Sequence, residues 1–280
     1  MERIFEGCLL VTDMDGTLLD RDKKISLENR EAIERFVAQG GLFTIATGRI
    51  AVSARPYVEQ LPVGAPAILY NGAVIYDFAQ GERTWSKNLP ASAKEVVERV
   101  IRRFPGIGVE VYETTNDYPT IAQNNEITLR HQQIESVPFQ KADRLELVPE
   151  PWIKVLFAWE PERIDEVSAA VGELTGDADV LWVRSDDKYL ELLSSGASKG
   201  HALERLMQQL GISRDRCLAM GDHLNDLEMI RRAGVGVAVA NAHPELLGAA
   251  VHCCKHHEEH AVADAIGWWE AQLRSAISKP

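Results

Sequence analysis

The chain has 280 residues, of which 45% are hydrophobic and 26% charged, and a formal charge of −12. Its length allows one large domain or two smaller ones, each with a substantial core. So acidic a balance excludes a general nucleic-acid surface, which needs many Lys and Arg contacts to phosphate; one local cationic pocket for a small phosphorylated ligand stays compatible with it.

The first third alternates strand and helix signals. Cys8–Thr12 is a short apolar run that predicts a buried strand. Ser26 can cap a helix over Leu27–Gln39, which carries Ile33, Phe36 and Val37 on one face and is closed by Gly40-Gly41. Leu42–Ala46 predicts the next strand. Ala67–Tyr70 and Ala73–Tyr76 flank Asn71-Gly72, the signal of a two-residue hairpin turn.

The middle differs. Helical spacing covers Ser92–Phe104 and Pro161–Leu174, and strand patterns cover Gly108–Tyr112, Val180–Arg184 and Tyr189–Leu193. The polar stretch Thr114–Pro151 gives no clear element. In the last third the alternation resumes: a helix near Ser198–Leu210 closed by Gly211, a strand Arg216–Met220, a helix Asp226–Ala233, a strand Val235–Ala240 and a final helix Glu259–Ile277. Strands alternating with helices predict an α/β fold with a doubly wound, Rossmann-like parallel sheet. The middle reads as an inserted α+β domain over 82–187, which makes 1–81 and 188–280 one discontinuous domain.

The four cysteines, Cys8, Cys217, Cys253 and Cys254, form no spaced disulfide framework. Cys253-Cys254-Lys255-His256-His257 with His260 invites a metal reading, but neighbours alternating along a strand point apart, unlike zinc ligands. Trp268-Trp269 reads as packing for the last helix. The N-terminus lacks the basic start and long apolar stretch of a signal peptide, and no segment approaches about 20 uninterrupted apolar residues. A reduced, cytoplasmic protein without a membrane segment is expected.

Polar residues gather where strands end or helices begin: Asp13-Met14-Asp15-Gly16-Thr17, Thr47-Gly48-Arg49, Lys199-Gly200 and Gly221-Asp222-His223-Leu224-Asn225-Asp226. In an open parallel sheet these loops can converge on one rim. Carboxylates crowded there repel one another unless a cation or proton intervenes, and Mg²⁺ suits such an oxygen-rich site. A carboxylate can attack phosphorus to form an acyl phosphate. A Lys and a hydroxyl can offset charge on the phosphoryl oxygens.

Asp13-Met-Asp-Gly-Thr-Leu, Ala46-Thr-Gly-Arg, Asn71-Gly-Ala, Ser198-Lys-Gly, Gly221-Asp-x-x-Asn-Asp and Asn241-Ala, in this order, resemble the haloacid dehalogenase superfamily of phosphatases, specifically the Cof-type branch with a large α/β cap. The resemblance implies Asp13 as nucleophile, Asp15 as acid/base, and Lys199 as the residue steadying charge. Thr47, Gly48, Lys199 and Asn225 would hold phosphate. Asp13, the Asp15 main-chain oxygen and Asp222 would hold Mg²⁺, with Asp226 and Asn241 behind them. It further implies a cap that selects a small phosphorylated metabolite, such as a sugar phosphate or phosphorylated cofactor, in a monomer or small homo-oligomer. His223 and His260 depart from the branch's usual residues. Tyr112, Tyr118 and His131 of the insert are candidates for reading substrate.

Rival functions remain open at this point. Gly196-Ala197-Ser198-Lys199-Gly200 fits Gly-x-Ser-x-Gly, with Asp222 and His243 following in the order of a serine hydrolase. A phosphomutase, or a non-catalytic phosphometabolite-binding protein, would use the same fold. The absence of a Gly-x-x-x-x-Gly-Lys-[Ser/Thr] loop disfavours an ATPase.

Overall fold

A computed structural model describes residues 3–116, 118–135 and 137–277. The chain divides into two compact units, one of Met1–Gly48, Ala54–Trp85 and Ser198–Pro280, the other of Arg49–Ser53 and Ser86–Ala197. In chain order the first segment gives β1 (Leu9–Thr12), α1 (Leu27–Ala38), β2 (Leu42–Ile45), α2 (Ala51–Val58), β3 (Ala67–Leu69), β4 (Val74–Asp77) and β5 (Glu82–Ser86). Ser26 caps α1 by accepting from the Asn29 N–H, as its position before the apolar stripe predicts.

The hairpin around Asn71 is longer than a two-residue turn. β3 and β4 pair antiparallel with Leu69 opposite Val74, so four residues make the connection. Tyr70 and Asn71 both adopt left-handed backbone, with φ of 52° and 54°.

The inserted segment contains α3 (Ala93–Arg103), β6 (Gly108–Glu113), β7 (Thr120–Gln123), α4 (Glu126–Glu135), β8 (Gln140–Lys141), β9 (Trp152–Ala158), α5 (Pro161–Thr175), β10 (Val180–Asp186) and β11 (Tyr189–Ser194). Its strands form one sheet in the order β10-β11-β9-β6-β7-β8. Val109 and Val111 of β6 and Val155 and Phe157 of β9 join Val96 and Val100 of α3 and Ile164 and Val167 of α5 in one buried core. β11 pairs with β9 and β10, which carries this unit past the boundary at 187 drawn from the sequence.

The last segment adds α6 (Lys199–Leu210), β12 (Cys217–Gly221), α7 (Leu227–Arg232), β13 (Val235–Ala238), α8 (Pro244–Ala249), β14 (His252–Cys253) and α9 (Ala261–Ile277). With β1 and β2 these strands build a parallel sheet in the order β14-β13-β12-β1-β2. The chain leaves β1 toward β2 on one side and returns to β12 on the other, so the topological switch lies at β1 and β12, where open α/β sheets bind ligands. α9 packs on α1, and Trp269 is buried between Phe5 and Phe36, with ring centroids 5.6 and 6.0 Å away. Cys253, the last residue of β14, is exposed, and Cys254 just beyond it is buried. His260 stands just before α9 in left-handed backbone, φ 62°, a conformation that His adopts more readily than branched residues. No described helix is long and apolar enough to cross a membrane.

Candidate active site

β1 ends at Thr12, and the next residue, Asp13, donates its N–H to the Met220 carbonyl of β12 at 2.9 Å. This fixes Asp13 at the carboxyl ends of two adjacent strands. Lys199, the first residue of α6, reaches the same place from its Ser198 N-cap. Its Nζ donates to Asp13 Oδ1 and to Asp226 Oδ1, both at 2.6 Å, and the side chain is fully buried. The other Asp226 oxygen accepts the N–H groups of Asp222 and His223, at 3.0 and 3.3 Å. Asp226 is thereby a brace that locks the loop after β12 and grips Lys199.

Asp222 completes the cluster. Its Oδ1 accepts from Thr17 Oγ1 at 3.2 Å, and one oxygen from each of Asp13, Asp222 and Asp226 lies within 4.8 Å of the others. Gly16 sits in left-handed backbone, φ 81°, where an added side-chain carbon would lie 2.4 Å from Asp222 Oδ2. Only glycine permits that approach.

Three ionised carboxylates against one ammonium leave a net double negative charge. Burial pushes the Asp13 carboxyl well above its usual range, with Asp226 and Asp222 adding to the effect and Lys199 opposing it. Burial, then Asp226, raises Asp222 to about 7, while Lys199 and the Thr17 hydrogen bond pull the other way. For Lys199 burial favours the neutral form, but Asp13 and Asp226 outweigh it and hold the ammonium charged. Both oxygens of Asp226 being engaged, Asp13 and Asp222 are the carboxylates left to face a cation. An all-oxygen donor set short of two positive charges fits Mg²⁺.

The remaining predicted residues fall in two groups. Asn241 donates to the Gly16 carbonyl at 2.8 Å and accepts from the His257 N–H at 3.0 Å, so it ties the first loop to the segment before α9. Asn225 donates to Asn71 Oδ1 at 2.9 Å. Thr47 is buried after β2, its N–H on the Ile68 carbonyl and its carbonyl accepting from the Asn71 N–H; Gly48 follows beside Asn71. The Asp15 carboxylate instead meets Lys23 Nζ at 2.7 Å, both side chains partly exposed. Lys23 carries no motif signal in the sequence, and the only signal for Asn71 is its place in the Asn-Gly-Ala motif.

The serine-hydrolase constellation is not assembled. Ser198 caps α6, and its Oγ donates to Glu228 and meets His201 Nδ1. His243 caps α8, its Nδ1 accepting from the Glu245 N–H. In the second unit, Tyr112 Oη donates to Glu110 at 3.0 Å and His131 Nδ1 lies 2.9 Å from the same carboxylate, so two of the candidate substrate-reading residues meet on one buried acid. Tyr118 uses its N–H on Asn116.

The sequence matches the haloacid dehalogenase-like hydrolase family over residues 10–266. It is 32% identical over 266 residues to the Bacillus subtilis protein YxeH, covering 92% of this chain and 96% of that one. An HMP-PP phosphatase of Yersinia pseudotuberculosis is 31% identical over 239 residues, 85% of each chain. The fold is similar to the crystal structure of a haloacid dehalogenase-like hydrolase from Bacteroides thetaiotaomicron, with a TM-score of 0.81, 27% identity, and coverage of 94% of this chain and 99% of that one. The family match takes in every carboxylate of the cluster and the lysine between them; the chain belongs to the haloacid dehalogenase-like hydrolases and is a phosphatase.

Proposed function

We propose that the enzyme hydrolyses small phosphate monoesters in the presence of Mg²⁺, with the phosphoryl group carried transiently on Asp13. The observation that carries this reading is the buried Lys199 ammonium, 2.6 Å from both Asp13 and Asp226 at the carboxyl ends of β1 and β12. An Asp13 oxygen bonds to phosphorus as the bond to the leaving oxygen breaks, and Asp15, turned away from its Lys23 partner and protonated, gives that oxygen its proton, so R–OH departs. Asp15 then takes a proton from water, whose oxygen displaces Asp13 and releases phosphate. Lys199 offsets charge on Asp13 and the phosphoryl oxygens, while the Thr47 hydroxyl, the Gly48 N–H and Asn225 hold those oxygens. Asp13, the Asp15 main-chain oxygen and Asp222 would hold Mg²⁺, which would supply further positive charge at the phosphoryl group. Asp226 and Asn241 keep Lys199 and the first loop in register.

Likeness to an HMP-PP phosphatase supports a small phosphorylated metabolite as substrate; sugar phosphates and phosphorylated cofactors such as pyridoxal phosphate or flavin mononucleotide are the classes to screen. Released phosphate should depend on Mg²⁺, vanish with chelator and survive Ser198→Ala. Transfer between sugar hydroxyls without release would indicate a phosphomutase, and activity lost in Ser198→Ala but indifferent to chelator would overturn the reading.

The same charge balance predicts a pH effect on stability. With Asp222 raised from 3.8 to about 7, the folded chain binds more protons than the unfolded chain between those values. The stability linked to this carboxyl is therefore complete below 3.8 and lost as pH rises through about 7. Chelated protein should melt lower at pH 8 than at pH 5. Mg²⁺, which needs ionised carboxylates, should raise the melting temperature by a few degrees at pH 8 and by much less at pH 5. Equal Mg²⁺ shifts at the two pH values in a thermal-melt series would contradict it.

A further inference from the structure

The turn between β3 and β4 does more than join two strands. Asn71 is buried, 1% exposed, in left-handed backbone that follows a second left-handed residue, Tyr70. For a bulky residue such as Tyr70 this conformation is strained, and strain of this kind persists where surrounding structure imposes it. The surroundings here are the phosphatase loops. The Asn71 N–H donates to the Thr47 carbonyl at 3.0 Å. An added carbon at Gly48 would lie 3.0 Å from Asn71 Nδ2, so the glycine keeps open the slot that the carboxamide fills. At Gly72 an added carbon would lie 2.1 Å from the Ser198 main chain, one residue before Lys199.

The carboxamide itself faces Asn225, which donates to Asn71 Oδ1 at 2.9 Å. The pair is half satisfied: Asn71 Nδ2 and Asn225 Oδ1 are both buried without a protein partner. A buried polar atom left unpaired is costly, which makes this a poor arrangement for stability alone. It makes sense as a device that dictates how Asn225 is turned. With Asn225 Nδ2 drawn to Asn71 Oδ1, its other N–H is aimed in one fixed direction.

We infer that Asn71 is a positioning residue of the phosphatase site, acting through Asn225 to orient that side chain for the phosphoryl group. The inference rests on the proposed role of Asn225 in holding phosphate.

A double-mutant cycle tests it, using p-nitrophenyl phosphate as substrate and inorganic phosphate as competing ligand. Asn71→Gly removes the carboxamide while allowing the left-handed backbone. It should raise KM and the inhibition constant of phosphate about tenfold, the worth of a hydrogen bond to a charged group, with kcat changed by less than about threefold. In an Asn225→Ala background the same substitution should change the phosphate constant by less than about twofold, because the residue through which it acts is gone. A merely structural role would lower the melting temperature and add in full to the Asn225→Ala effect; that result, or wild-type phosphate affinity in Asn71→Gly, overturns the inference. If the glycine variant does not fold, Asn71→Ala, which also lacks the oxygen that accepts from Asn225, enters the same cycle and is read the same way. Wild-type phosphate affinity in Asn225→Ala alone would instead sink the phosphate-holding role of Asn225 and leave the inference without its base.

Discussion

Asp13→Asn should cut the rate of phosphate release by at least about a thousandfold, the scale expected when a covalent nucleophile is removed. The substitution is nearly isosteric, and the amide oxygen can still accept from Lys199, 2.6 Å away in the wild type. What disappears is the charged oxygen that, in the proposed mechanism, bonds to phosphorus. Because the cluster carries three carboxylates and one ammonium, losing one negative charge also relieves repulsion in the metal-free protein. Chelated Asp13→Asn should therefore melt no lower than chelated wild type, and its response to Mg²⁺ should shrink. Catalytic loss and retained fold would appear together in a phosphate-release assay paired with a thermal melt. More than a tenth of wild-type activity in the variant would remove Asp13 from its proposed role.

Lys199→Met attacks the same cluster from the opposite side, with an expected cost in both activity and stability. The methionine fills similar volume but leaves the Asp13 and Asp226 carboxylates buried without their shared cation. Breaking a buried pair in this way costs about 3–5 kcal/mol. The loss should be largest at pH 8 and smaller at pH 5, where the carboxyls can escape by taking protons. In the wild type the lysine stays charged across that whole range, because its two partners raise its pKa further. Urea titrations at both pH values read the difference. A pH-independent loss would mean that the carboxylates do not depend on the ammonium.

Much of this site could be read from the sequence because its parts lie at strand ends, and strand ends are marked by a switch from apolar to polar residues. Asp13 after β1 and Asp222 after β12 are such cases. The lysine was legible for a similar reason, since Ser198 is a helix cap and Lys199 opens the helix. The middle of the chain was harder. β9 reads Trp-Ile-Lys-Val-Leu-Phe-Ala, and Lys154 interrupts its apolar run. That lysine is buried against Glu191 of β11, 3.1 Å away, a partner 37 residues on that no local pattern reveals. β7 has only four residues and β8 only two, and they are fixed by pairing β7 with β6 and β8 with β7. Asn71-Gly72 carried a true hairpin signal but the wrong turn length, because Thr47 and Asn225 hold the turn in a shape that neighbouring residues do not specify. The Lys23 contact to Asp15 joins two solvent-facing side chains, and spacing alone does not indicate such pairs.

The order of strands in the first unit has a consequence for how this enzyme matures. β1 lies between β12 and β2, and β12 begins more than two hundred residues after β1 ends. While the chain is being synthesised, Leu9–Thr12 can pair on one side early, but its other edge must wait until the whole insert and α6 have emerged. A nascent chain halted before Lys199 would carry Asp13 and Asp15 with no competence for chemistry and an apolar strand edge open to mispairing. Completion of the site is thus a late event of biogenesis, because Lys199 and Asp222 both lie in the C-terminal segment.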